Sequence, residues 1–584
     1  MSGDKLIDDV SIANTQRRGG KRKSSEKDKN DKMKDAGLGD SSVRSATFNM
    51  ITQISFRVIT FILNAFVLRH ISRDVMGLIN VRLNLLDDTI LFLSREAFRL
   101  ACLGHRGKEG WDGVLNLMWC CVPLSIVWST VLGWVWVNIL SSPPEDLKQQ
   151  YETAVILVSF SGIIQMFAEV PWLIAQIFLF VRLRVIMDFI WMLTRVLFLV
   201  IAVSLYPDNV VYIWAVGHFI AGLLYVLGYY FAFFLILKFG NKDPHAKCSH
   251  SSALPFNSLR QFFPTFDKTT FPVNQEYRRV TVSFLAQGLM KQVLTEGERY
   301  LMTFLNLLSL SQQGIYDVVS NLGSLAARFI FRPIEESCYL FFSQQIYFIN
   351  FLAQWVRGKD WKDQDEDMRQ KVEQGLFRVL RLMVLLGLVI FTFGFSYSDL
   401  LLRIYGGPHL AVDGGTALLR AQCLLIFFLA VNGVTECFVR SVMTEQEINM
   451  FNKKLVFLSC SYLLLTWAMT SSMGVLGLVG ANCVNMGIRI YFSIEIIQKT
   501  FANLDPSPIQ GLFPENDMLY ILLCSGTCCQ LSEQYIYAWS PAVHFLLGAL
   551  LFFVVVASVV IKEDFILSFL VEKYRNIKLK IKKE

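Results

Sequence analysis

Five basic residues stand inside stretches that are otherwise apolar: Arg57, Arg95, Lys291, Arg328 and Arg332. A cation at the centre of a lipid-crossing helix costs roughly 2.5–3.5 kcal/mol, so a chain keeps one there only where something answers its charge. Guanidinium forks match the paired oxygens of phosphate and pyrophosphate. An anionic, phosphate-bearing cargo is therefore the chemistry these residues suit. Acidic residues lie among them: Asp88, Glu96, Glu169, Asp188, Glu298, Glu335, Glu336 and Glu436. These are the candidate gating and ion-pair groups. For any single charge, an interhelical pair or a side chain snorkelling to the interface explains as much. That plainer account is taken for Arg99, Arg184 and Arg440, near the ends of their helices, and for much of the eighth span.

The elements that must carry these residues are membrane helices. Hydrophobic residues make up 53% of the 584-residue chain and charged ones 18%, with a mean hydropathy of +0.43; a soluble domain carries about 25% charged residues. Apolar runs such as 114–140, 210–237 and 541–562 reach the roughly 18–20 residues that cross a bilayer core. Lipid offers the backbone no hydrogen bonds, so such runs must be helices. The expected fold is an all-α polytopic membrane protein with about 14 spans. Among them the fourth is expected at 152–180, the eighth at 314–350 and the thirteenth at 517–527.

Helical spacing gathers the polar residues into stripes. Asn49, Gln53, Arg57, Thr60 and Asn64 share one face of the first span, and Asn84, Asp88, Arg95 and Arg99 one face of the second. The fourth carries Gln165, Glu169 and Gln176, with Pro171 loosening the helix nearby; the fifth carries Arg184, Asp188 and Arg195. Gln287, Lys291 and Glu298 line the seventh, Asp317, Asn321, Arg328, Arg332 and Glu336 the eighth, and Asn432, Glu436 and Arg440 the tenth. So many stripes predict one shared hydrated cavity with a cationic lining.

Basic residues also give an orientation. With the amino terminus in the cytosol, the even connectors carry Arg106, Lys108, Arg182, Arg278, Arg279, Lys359, Lys453 and Lys454, whereas the odd ones carry Arg69, Arg73, Lys148 and Arg403. This bias places both termini inside. Residues 1–44 are expected to form a disordered cytosolic tail without a signal peptide, and 563–584 a basic cytosolic tail. The ending Lys580-Ile-Lys582-Lys583-Glu584 fits a dilysine retrieval signal of the endoplasmic reticulum. The net charge of +7 is explained by tails and loops, so nucleic acid is not an expected partner. His245, Cys248 and His250 share a loop without a fourth ligand, so no metal is expected. No phosphate-loop motif is present, and no cofactor is called for.

An internal repeat completes the plan. Gly77 and Arg95 are 18 residues apart, as are Gly314 and Arg332, and each pair is offset by 237. The two helices run in the same direction. They predict two six-helix lobes, 45–237 and 280–498, related by an axis along the membrane normal. A cytosolic linker at 238–279 joins the lobes, and 517–562 adds two more spans.

At these residues the sequence resembles a known family. Asn49–Phe61, the stretch Leu93-Ser94-Arg95-Glu96-Ala97-Phe98-Arg99 and the stretch Arg328–Glu336 are similar to the Rft-type proteins. These belong to the multidrug/oligosaccharidyl-lipid/polysaccharide flippase superfamily, and the similarity covers roughly 45–565. The resemblance implies two six-helix lobes around a V-shaped cavity. It also implies transfer of Man5GlcNAc2-diphospho-dolichol from the cytosolic to the lumenal leaflet of the endoplasmic reticulum, for protein N-glycosylation. The family implies either the flippase or an essential accessory, with other glycosylation proteins as partners. Under that reading Arg57, Arg95, Arg332 and Lys291 hold the diphosphate, and Glu96, Glu298, Glu335 and Glu336 pair with the arginines when it is absent. Three other readings compete. A membrane glycosyltransferase needs acidic residues in a sizeable lumenal loop, and the first such connector is only about 69–76; the expected protein is not an enzyme. A drug or cation antiporter would favour buried acids without arginines. A non-transporting scaffold would keep the cavity as inheritance.

Overall fold

The computed structural model describes residues 59, 61–103, 111–239, 254–265, 275–355, 366–412, 414–443, 445–501 and 508–563. The described residues are almost entirely helical, without strands. Helix α1 spans 61–68. Helix α2 starts as Arg73–Met76, widens into a π segment at Gly77–Leu83 and continues as Asn84–Leu103. Then come α3 (Trp111–Asn138), α4 (Glu145–Met166), α5 (Glu169–Ile177), α6 (Val181–Leu205) and α7 (Val210–Phe239). Helix α8 is Gln275–Phe304; α9 runs from Leu310–Ala326 through a π segment at Ala327–Phe331 into Arg332–Trp355. The remainder are α10 (Glu366–Gly406), α11 (Gly415–Val442), α12 (Glu445–Met473), α13 (Val475–Thr500), α14 (Asn516–Tyr535) and α15 (Pro541–Lys562).

Among the described residues, eight helices are long and apolar enough to cross a bilayer, and the bent pair α4–α5 makes a ninth if it is one span. α2, α8, α9 and α14 fall short of that standard because of the polar residues they carry. Outward apolar side chains of the spanning helices, such as Trp134 on α3, Leu464 on α12 and Phe553 on α15, stay exposed, as expected where lipid is the solvent.

Local chemistry explains several boundaries that differ from expectation. The fourth span is two helices meeting at 45°. Pro171 has no N–H to donate to the Phe167 carbonyl four residues back; that carbonyl accepts from the Tyr230 hydroxyl instead, at 3.1 Å. The eighth span begins at Leu310, four residues early, because Ser309 and Gln312 form a capping box. The thirteenth extends to Tyr535 rather than stopping at 527, since polar residues such as Gln530 and Glu533 do not end a helix.

Among the described residues, buried side chains form two large separate cores, one shared core and a small cluster where α14 and α15 meet α10. One runs from Leu91 to Phe262 and another from Phe331 to Phe501; the helices around them are called here the amino- and carboxy-terminal bundles. The shared core draws on α2, α7, α9, α10 and α11 at one end of the molecule. Between the bundles, Leu254–Thr265 lies against the amino-terminal one. Phe262 is fully buried there, Trp119 Nε1 donates to its carbonyl at 2.7 Å, and Asn116 is hydrogen-bonded to the Thr265 backbone in both directions. α14 and α15 pack on α10, where Arg381 holds Glu563 at 2.8 Å.

Candidate functional site

The two repeated glycines touch. A Cβ on Gly314 would lie 2.6 Å from the carbonyl oxygen of Arg73, and one on Gly77 would collide with that of Leu310. Arg73 is four residues before Gly77, and Leu310 four before Gly314, so each glycine meets the same turn of the other helix. That reciprocity is the signature of a two-fold relation. α2 and α9 approach backbone to backbone there, which no side chain would permit. Close by, α1 meets the end of α10: Phe61 stacks on Tyr405 at 4.8 Å, Arg69 donates to the Ile404 carbonyl, and His409 bonds Leu68 O at 2.9 Å.

Below this junction a cavity of about 630 Å³ opens between the bundles. α1 contributes Phe61 and Asn64, α2 Asn80, α6 Met192 and Leu199, and α9 Asp317, Asn321 and Arg328. Amides, one carboxylate and one guanidinium stand in an otherwise apolar wall. Arg328 sits on the π segment and is fixed by the α-helical turns before it, donating to Asn321 O at 2.8 Å and Ser324 Oγ at 2.7 Å.

One flank of the cavity is closed by α2 and α8. Thr89 Oγ1 lies 2.8 Å from Tyr300 Oη, Arg299 bridges to Asp88 at 3.6 Å, and Lys291 to Glu96 at 3.4 Å. Arg299 also pairs with Glu296 at 3.3 Å and Asp317 at 3.5 Å. These groups border a smaller polar pocket of about 250 Å³ that includes Glu298. Glu298 accepts from Tyr316, from Tyr462 at 3.1 Å and from Asn482 at 3.3 Å.

Each bundle also buries a carboxylate clasped by two arginines. Glu169 is fully buried and accepts from Arg95 at 3.2 Å and from Arg99 at 2.6 and 2.7 Å, with Arg99 stacked 3.7 Å above Trp172. Glu436 takes Arg440 and, at 2.5 Å, Arg489. Asp188 accepts a long bond from Tyr225, at 3.5 Å.

Several expected pairings therefore change. Arg95 pairs with Glu169 on another helix rather than with Glu96, whose carboxylate turns to Lys291. Glu298 is held by hydroxyls and an amide, not by an arginine. Glu335 makes no ion pair among the described residues; its side chain packs over Gly433. Arg332 does pair with Glu336, at 3.1 Å, and stays 73% exposed one turn beyond Arg328. Of the five cations expected to converge, Arg328 lines the cavity, Arg95 and Lys291 are engaged by carboxylates, Arg332 stands outside it, and Arg57 lies outside the described residues. So do His245, Cys248 and His250. The sequence reading overlooked Arg299 and Glu296, although Glu296-Gly297-Glu298-Arg299 places three charges within one turn of a predicted span.

Comparison with known proteins agrees with this architecture. The family model for Rft protein matches residues 41–573. The chain is 38% identical over 545 residues to the Man(5)GlcNAc(2)-PP-dolichol translocation protein RFT1 of Xenopus tropicalis, covering 92% of this chain and 98% of that one. It is 35% identical to the Drosophila melanogaster protein of the same name, covering 84% and 90%. Among solved structures it is similar to the lipid II flippase MurJ in an inward closed conformation, with a TM-score of 0.57 and 10% identity over 89% of this chain and 99% of that one. The last shows shared fold alone. With a family match across nearly the whole helical region, this chain is a member of the Rft protein family.

Proposed function

We propose that this protein moves a dolichol-diphosphate-linked oligosaccharide, Man5GlcNAc2-PP-dolichol, between membrane leaflets, or is an essential accessory of that movement. The observation that carries the reading is the cavity at the two-fold junction, where Arg328 meets an amide-rich, partly apolar wall. A guanidinium suits diphosphate oxygens, and amides such as Asn64, Asn80 and Asn321 suit sugar hydroxyls. Arg332, exposed one turn further along α9, extends the cationic track. The names of the relatives support the same cargo.

The accompanying topology has 14 spans with both termini in the cytosol of an endoplasmic-reticulum membrane. Its lobes are 45–237 and 280–498, with the tails, linker and two added spans as described from the sequence. In this orientation the glycine junction is lumenal, and the Arg328–Arg332 end faces the cytosol, where the diphospholipid would enter. Rocking about the junction would then open the cavity to the other leaflet. A second reading, a cation or drug antiporter, is favoured by one observation: Glu296, Glu298 and Asp317 crowd a pocket with a single arginine.

The deciding experiment is reconstitution into vesicles with radiolabelled diphosphodolichol oligosaccharide. Leaflet exchange well above protein-free vesicles, abolished by Arg328→Ala, supports direct translocation. Exchange at the protein-free rate leaves the accessory role, and exchange unaltered by Arg328→Ala refutes the proposed diphosphate contact.

A further inference from the structure

Deep in the amino-terminal bundle lies a charged group that the cavity reading does not use. Asp87 on α2 and His218 on α7 are 2% and 0% exposed, with His218 Nε2 3.2 Å from Asp87 Oδ1. Neither ring nitrogen finds a further hydrogen-bond partner among the described residues. An imidazole sealed in a core without its hydrogen bonds is costly. Two indoles enclose it, Trp214 at 5.4 Å and Trp191 at 6.1 Å between ring centroids.

The group is buried but not isolated. Arg195 on α6 stacks 4.5 Å above Trp191 and donates to Asn84 Oδ1 at 2.7 Å. Met192 and Leu199, which line the large cavity, flank Arg195 at helical spacing on the same face. Asn84 stands one turn beyond Asn80, another lining residue. Arg195 and Asn84 are only half-buried and form a polar passage from cavity to core. The charges acting on His218 are thus Asp87 from α2 and Arg195 from α6, and Asp87 is in turn influenced by Arg95 and coupled to Asp88 on its own helix. α4 adds no charge, presenting Ser161, which donates to the His218 carbonyl at 3.2 Å, and Gln165 bonded to Ser161.

We propose that His218 and Asp87 form a proton-binding site filled from the cavity past Asn84 and Arg195, and that proton uptake turns Arg195 toward the cavity. One carboxylate, Asp87, faces two groups that can balance it. With His218 neutral, Arg195 is its counter-charge. A proton taken from cavity water onto the free ring nitrogen makes an imidazolium at 3.2 Å, which satisfies Asp87 directly and repels the guanidinium. The gain is one positive charge for the site, delivered to the cavity wall as a freed arginine. Protonation and anion binding then favour one another, and by linkage each raises the other's affinity equally. Asp88, next in sequence to Asp87, holds Arg299 across the bundle seam, so the same turn of α2 meets both the proton site and the opposite bundle.

The test uses the full chain in lipid nanodiscs with 15N-labelled histidine. The His218 resonance is assigned by its loss in His218→Gln, or in a chain whose other histidines are replaced by Gln. Its ring nitrogens are expected to change from neutral to charged shifts as the pH is lowered towards about 5. Arg195→Gln should raise the midpoint by about one pH unit, and Asp87→Asn should lower it by at least as much, while Arg195→Lys leaves it near wild type. Inorganic pyrophosphate should raise the wild-type midpoint and leave that of Arg195→Gln unmoved. A His218 that stays neutral to pH 5 in the wild-type chain overturns the site. A midpoint indifferent to Arg195→Gln overturns the exchange of partners, whatever the cargo proves to be.

Discussion

The glycine junction makes the sharpest prediction. In Gly314→Ala the new methyl would sit 2.6 Å from Arg73 O and 2.7 Å from Gly77 N, whereas ordinary contact begins at 3.4 Å. Both obstacles are backbone, so no rotamer change relieves them. The helices must part by about 0.8 Å, the difference between 3.4 and 2.6 Å. Overpacking of this kind costs about 1–3 kcal/mol, less the roughly 0.5–1 kcal/mol that Ala returns to a helix interior. Gly77→Ala should cost at least as much, because its methyl meets Leu310 O more closely still. Since one displacement relieves both clashes, the double variant should cost clearly less than the sum of the singles. Gly288→Ala is the control: it lies on the α2–α8 seam, where its methyl would meet Phe92 at an ordinary 3.6 Å, and its stability should stay within about 0.5 kcal/mol of wild type or rise. Unfolding in mixed micelles with increasing SDS, followed by tryptophan fluorescence, supplies the four midpoints. Strict additivity of the two glycine variants, or a Gly314→Ala midpoint equal to that of Gly288→Ala, would refute the shared backbone contact.

Other outcomes follow from the charges and the linker. Glu169→Gln leaves the half-buried Arg95 and Arg99 without their carboxylate and should destabilise the protein by about 2–4 kcal/mol, seen in the same assay as a loss exceeding that of any exposed pair. Lys291→Ala breaks a bridge whose lysine is 62% exposed and should change stability by less than about 1 kcal/mol. Arg332→Ala should leave the midpoint within about 0.5 kcal/mol of wild type while abolishing lipid exchange; a variant that loses only abundance would instead assign Arg332 a structural role. Phe262→Ala empties a fully buried site and should cost about 3–5 kcal/mol locally, exposing Leu254–Thr265 to proteases that spare it in the wild-type chain.

The sequence made the fold class legible because hydropathy reports a solvent, and lipid is an unambiguous one. The repeat was legible too, as spacing is preserved where backbones must meet at glycine. Pairings were harder. Arg95 and Glu96 are neighbours in sequence yet point to different bundles, so which carboxylate answers which cation depends on helix rotation, which periodicity alone leaves free. Arg299 is hard to read from spacing because Gln287, Lys291 and Glu298 share one face of α8 and Arg299 lies on the next. His218 carried no signal at all: a single histidine in the apolar run Val210–Phe239 looks like core, and only its neighbours from α2 and α6 distinguish it.

The docked linker has a mechanical meaning. From Phe239 to Gln275 a free chain could stretch roughly 120 Å, at about 3.3–3.6 Å per residue. Because the Thr265 N–H is held by Asn116 at 2.9 Å, the free length counts from Thr265, and ten residues reach no more than about 35 Å. The covalent connection is thus a short leash, fastened to one bundle by the buried Phe262 and by the Asn116–Thr265 hydrogen bonds. It caps how far the start of α8 can swing from the amino-terminal bundle, so any opening between bundles on that side has an upper bound set by chain length rather than by lipid or cargo.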